Sequence, residues 1–132
     1  MLAPILLAAV VAATPAAAKD KTLTSYCSPS GDVCYGMFIH AGRVQLRITT
    51  AARYFRRYTL CVQFLPPGTG AEHVRRCGSF PVFRQGGSTW GSSVDYARQY
   101  PVTLPGRYRV TWKQGGTPLG PPLYFHLPLR RS

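Results

Sequence analysis

The chain has 132 residues, with 16 Lys and Arg against 4 Asp and Glu, for a formal net charge of +12. That length sets a single domain able to bury a core of its own, and so few acids leave little room for chemistry run by paired carboxylates. Arginine supplies 13 of the 16 cations, and two readings of this excess stand: a surface for nucleic acid, anionic membrane or acidic wall polymer, or the arginine-over-lysine habit of a GC-rich genome on any surface.

Residues 1–18, "MLAPILLAAVVAATPAAA", hold an apolar run from Leu2 to Ala13, then Thr14-Pro15 and an A-x-A pattern at Ala16 and Ala18. This predicts a signal peptide (1–18) cleaved after Ala18, and a mature domain over 19–132. The n-region departs from the pattern, having only the terminal amine for charge. The run is shorter than the roughly 20 residues needed to span a bilayer, so no transmembrane segment is expected in the mature chain. Export places Cys27, Cys34, Cys61 and Cys77 in an oxidising compartment, where an even count implies two disulfides. Metal binding is the weaker reading, because neither local spacing is C-x₂₋₄-C.

Cys27 and Cys34 bracket "SPSGDV", a tight turn at the start of the domain. Residues 43–49 put Val44, Leu46 and Ile48 on one face and Arg43, Gln45, Arg47 and Thr49 on the other, the period of a half-buried strand. "TAARYFRRY" (50–58) suits one helical turn in a connection. Residues 58–64 alternate again with Leu60, Val62 and Phe64 inward, and "LPPGTG" follows as a turn. Residues 72–80 return as a strand. A Cys61–Cys77 bridge across this hairpin sets Gln63 opposite Arg75 and Phe64 opposite Val74, and leaves Cys27–Cys34 as the second pair. "SVDYARQYP" (93–101) suits another helical turn, stopped by Pro101. In 107–113, Tyr108, Val110 and Trp112 point inward and Arg107, Arg109, Thr111 and Lys113 outward. After "QGGTPLGPP", Leu123, Phe125 and Leu127 are inward and Tyr124 and His126 outward. The sum is an all-β, antiparallel sandwich of about six to eight strands with short helical turns in its connections.

Gly106-Arg107-Tyr108-Arg109-Val110 resembles the G-x-Y-x-C start of the penultimate strand of immunoglobulin-like sandwiches, where the tyrosine bonds back to the preceding loop. Val110 stands where antibody domains have cysteine, so the likeness is to the wider fold and implies an immunoglobulin-like sandwich. The mature chain also resembles small secreted actinobacterial proteins of uncharacterised function, which implies an exported address. Neither resemblance implies an activity.

Catalytic patterns are sparse. The mature chain's acids are Asp20, Asp32, Glu72 and Asp95, and its histidines His40, His73 and His126. No carboxylates pair at strand or helix spacing, and Glu72 and His73 are neighbours facing opposite sides of a strand. There is no GxSxG elbow, P-loop, dinucleotide fingerprint or HExxH. We therefore expect neither an enzyme nor a cofactor. What remains is an outer sheet face gathering Arg107, Arg109, Lys113, Tyr124 and His126, joined by Gln63, His73 and Arg75. It is expected to be flat and basic, with one aromatic, while Arg43, Arg47, Arg53, Arg56, Arg57, Arg84 and Arg98 lie elsewhere. Tyr108 and Trp112 point inward and cannot stack on bases, which disfavours nucleic acid. The sequence reading is a secreted binding or envelope-associated module for an anionic cell-wall polymer, of teichoic type, or an acidic protein. The alternative is an inhibitor or effector acting through the 65–71 or 114–120 loop, the first braced by Cys61–Cys77. A small hydrolase ranks last.

Overall fold

The computed structural model describes residues 20–65 and 75–129. The signal-peptide reading of 1–18, Glu72, His73, Val74 and most of the 65–71 loop therefore fall outside the described residues.

The strands are β1 (Lys21–Cys27), β2 (Val33–His40), β3 (Arg43–Thr50), β4 (Arg57–Leu65), β5 (Arg75–Pro81), β6 (Phe83–Gly86), β7 (Thr89–Asp95), β8 (Gly106–Gln114), β9 (Thr117–Pro118) and β10 (Leu123–Leu127), with one helical turn, α1 (Tyr96–Gln99). They form two antiparallel sheets packed as a sandwich. The first has the order β1-β2-β3-β7-β6; the second has the order β10-β8-β4-β5, with β9 pairing the far end of β8.

Period-two alternation explains which side of each strand is covered. Val44, Leu46 and Ile48 of β3 are buried, as are Tyr58, Leu60 and Val62 of β4 and Tyr108, Val110 and Trp112 of β8. Tyr35 from the first sheet stacks on Trp112 from the second, ring centroids 4.5 Å apart. Such a pair adds about 0.5–1.5 kcal/mol beyond its area burial. The Tyr58 hydroxyl meets Ser92 Oγ at 2.8 Å, a second link between the sheets. Burial pushes the Tyr58 phenol up to about 12.

Local chemistry sets the register. Ala41 and Gly42 both take positive φ (50° and 76°) between β2 and β3, the conformation of a two-residue hairpin turn that follows the strand twist. Gly106, at φ 151°, opens β8 where a Cβ would sit 2.7 Å from the Phe64 ring, so a side chain there would strain the backbone and displace that ring. Two residues on, Tyr108 donates its hydroxyl to the Leu104 carbonyl at 2.6 Å. Both disulfides, Cys27–Cys34 and Cys61–Cys77, join directly opposed residues of hairpins, and Gln63 lies opposite Arg75. With every cysteine oxidised, the metal reading of the cysteines falls.

One expectation is corrected and another is narrowed. Residues 50–58 make no helical turn: Thr50 ends β3, and Arg57 and Tyr58 begin β4. The Ala51 amide donates to the Asp32 carbonyl, and both the Thr50 hydroxyl and the Tyr54 amide donate to the Ala52 carbonyl, which takes the groups a helical turn would use. In 93–101 only Tyr96–Gln99 is helical, because Ser93–Asp95 complete β7. Among the described residues, no helix is long and apolar enough to cross a membrane.

Candidate anion-binding face

The outer face of the second sheet is built in rows across its strands. Arg75, Gln63, Arg109 and Tyr124 face one another in sequence across β5, β4, β8 and β10. The next row is Cys77, Cys61 and Thr111. Beyond it lie Ser79, Thr59, Lys113 and, on β9, Pro118. On the other side of the first row, Arg107 pairs with Leu65 and His126. The expected set of Arg75, Arg107, Arg109, Lys113, Tyr124 and His126 thus shares one face.

That face is not flat. Its middle row of short side chains lies between the long Arg75, Gln63 and Arg109 on one side and Lys113 on the other, which leaves an open depression of about 350 Å³ lined by Cys61, Gln63, Arg75, Arg109, Thr111, Lys113 and, from the connection to β10, Pro118, Gly120 and Pro122. The connection forms a wall that the core holds in place. The Tyr35 hydroxyl donates to the Pro121 carbonyl and the Leu119 amide to the Trp112 carbonyl. Arg109 is half-buried and donates to Gln63 Oε1, while Arg75, among the described residues, reaches the Cys61 sulfur at 3.8 Å. Arg107 stands apart, its guanidinium 4.0 Å above the Tyr124 ring, and His126 lies beside it outside the depression. A cation held over an aromatic face this way gains about 0.5–1 kcal/mol at an exposed site.

Arg57 must be added. It was expected elsewhere, but as the first residue of β4 it has the outward parity of Thr59, Cys61 and Gln63, and it donates to the Ser79 hydroxyl and carbonyl. The visible alternation begins at Tyr58, one residue after β4 does.

The first sheet's outer face is electrostatically different. Arg43 meets Asp95 at 2.9 Å and Arg47 meets Asp20 at 2.6 Å, while His40 Nδ1 lies 2.6 Å from the same Asp20 carboxylate. Arg47 also donates twice to Gln45 and lies 4.8 Å over the Phe38 ring. Hydrogen bonds from His40 and then Arg47 hold the Asp20 carboxyl below the usual carboxylate range. On the second sheet the partners of Arg57, Arg75, Arg107 and Arg109 among the described residues are a serine, a sulfur, a tyrosine ring and a glutamine, all uncharged. Every carboxylate ion pair among the described residues involves the first sheet or the residue leading into it.

Comparison with known proteins finds no matching family model, no matching curated protein and no matching solved structure.

Proposed function

We propose that this chain is a non-catalytic, exported binding module, and that the outer face of its second sheet engages an anionic cell-wall polymer. The observation that carries this reading is the segregation of charge. Arg43 and Arg47 are met by carboxylates on one face, whereas Arg57, Arg75, Arg107, Arg109 and Lys113 share the other with no carboxylate partner among the described residues. Arg75 and Arg109 are two interstrand spacings apart, roughly 10 Å between backbones. Two unit charges at that distance repel by about 0.4 kcal/mol even at bulk-water screening. An arriving polyanion relieves that repulsion. Among the described residues the ion-paired carboxylates, Asp20 and Asp95, both serve the first sheet's outer face, which leaves the cations of the second unneutralised. The immunoglobulin-like reading is supported by the order β2-β3-β7-β6 against β10-β8-β4-β5, by the Tyr108 bond to Leu104, and by Tyr108 standing near the start of β8. Two disulfides support an exported address.

The test is binding to isolated anionic wall polymer across a salt series, with two charge-matched variants. Binding should weaken steeply with salt, in proportion to the charges neutralised. Arg107→Gln with Arg109→Gln should reduce affinity by about tenfold or more, the loss of charge-assisted contacts. Arg43→Gln with Arg47→Gln should change it little. Equal losses from both pairs would mean that net charge alone drives association and that no face is specialised.

A further inference from the structure

We propose, resting on the reading of this face as anion-binding, that the depression on the second sheet is a seat for a single phosphate group, held by Arg75, Arg109 and Lys113 with Gln63 and Thr111 as neutral donors.

The hydrogen-bond inventory of the lining carries this assignment. Guanidinium and ammonium groups only donate. Gln63 has both donor and acceptor ends, but its carbonyl oxygen already accepts from Arg109. Its amide NH₂ is thereby the end left for a ligand, and this orientation is forced because Arg109 cannot accept. Thr111 adds a hydroxyl on the floor, between the Arg75–Gln63–Arg109 row and Lys113. The seat therefore offers donors from three directions: the β5 side, the β4–β8 side, and the far end of β8. A tetrahedral oxyanion presents acceptor oxygens in three directions as well. A carboxylate has two oxygens in one plane and leaves at least one cation unanswered.

The seat is also held in shape before anything binds. The Cys61–Cys77 bridge ties β5 to β4 directly beneath it, fixing Arg75 relative to Gln63. Gln63 in turn fixes the Arg109 fork, and the 118–122 wall is anchored to Tyr35 and Trp112. Less side-chain freedom is then lost on binding. Arg107 over Tyr124 and Arg57 at the far end of β4 lie along the same face, placed to meet neighbouring charges of a polymer.

The experiment is a titration of isotope-labelled protein, followed by NMR at the Arg, Lys and Gln side chains, with three probes: inorganic phosphate, a glycerol-phosphate polymer, and polyglutamate of equal charge. Two variants accompany it: Gln63→Glu, which places a competing carboxylate inside the seat, and Gln45→Glu, the same charge change on the first sheet. The expected result is that both phosphate probes shift Gln63, Arg75, Arg109 and Lys113 and compete with each other. Polyglutamate should not displace inorganic phosphate. Gln63→Glu should weaken phosphate binding about tenfold or more, and Gln45→Glu much less. Polymer binding without a phosphate shift at these residues, or equal effects of the two variants, overturns the seat and leaves the basic face standing. Phosphate binding at the seat with no polymer binding keeps the seat, assigns it to free phosphate and removes the polymer reading. Displacement by polyglutamate overturns the phosphate assignment in favour of an acidic peptide. No binding of any probe overturns both.

Discussion

The two outer faces of this sandwich are made from the same residue types and end in opposite electrostatic states. On the first sheet, Arg47 is enclosed by Asp20, Gln45 and the Phe38 ring, and Arg43 is met by Asp95. On the second, Arg75, Arg107 and Arg109 are steadied by a sulfur, an aromatic ring and an amide, which orient them without cancelling their charge. The difference teaches that counting arginines is uninformative, and that what each one touches decides whether its field reaches solvent.

The comparison breaks most completely if inside and outside have been exchanged, so its largest test lies in the core. Trp112→Ala should destabilise the domain by about 3–5 kcal/mol, as expected for a large buried aromatic. Denaturant unfolding measures it, and an unchanged midpoint would invert the faces and void both descriptions. Each face also carries its own crosslink, and replacing each pair by serines compares them next. Cys61–Cys77 closes a separation of 16 residues and Cys27–Cys34 one of 7. On the chain-entropy model the first is worth about 3 kcal/mol and the second about 0.7 kcal/mol less. Loss of Cys61–Cys77 should also reduce anion affinity through β5, and loss of Cys27–Cys34 should not.

High pH asks whether the two sheets stay docked. The Tyr58 phenol is raised in the folded state from 10.0 to about 12, first by burial. Its neutral form is favoured by folding, so its contribution is complete below pH 10 and is lost as pH rises toward 12. The part of the tyrosinate absorbance that a Tyr58→Phe reference lacks should therefore rise together with loss of the fold in that window, and its appearance beforehand in a docked sandwich would contradict the burial of Tyr58. The smallest effect sharpens the contrast directly. Asp20→Asn should free Arg47 and give the first face a gain in polyanion affinity of no more than about fivefold, since exposed ion pairs are worth little. In the native chain the same release needs acid. The Asp20 carboxyl is held low, so its ion pair is intact above the ordinary carboxylate value and is lost only as pH falls through the depressed one.

What the sequence made legible follows from period and register. The alternations in β3, β8 and β10 place their inward and outward residues correctly, and the Cys61–Cys77 spacing sets Gln63 opposite Arg75. Less visible were β6 and β7, where "TWGSSVD" lacks an apolar alternation because Gly91 and Ser92 are buried beside their neighbours in the sheet. The 51–56 crossover differs from its sequence pattern because alanines and aromatics suit a helix in isolation, whereas here the backbone groups are taken by Asp32 and Ala52. At the site, the shared face could be read from the sequence, but its relief could not. The wall at Pro118–Pro122 is held by Tyr35, which lies 86 residues before Pro121 in the chain. Nor does any local signal say that Asp20 reaches Arg47 and leaves Arg75 and Arg109 alone.

The chain has two tryptophans, and they occupy opposite environments. Trp112 is fully enclosed against Tyr35, whereas Trp90, on β7, is partly open and covered by the Arg53 guanidinium at 5.1 Å. Their emission should therefore separate into a blue, quencher-resistant component and a redder, quencher-accessible one. The first dims or shifts only when the layers part. The second responds when the 51–56 crossover lifts from β7, so the molecule carries an optical gauge that tells local loosening from global opening without any added label.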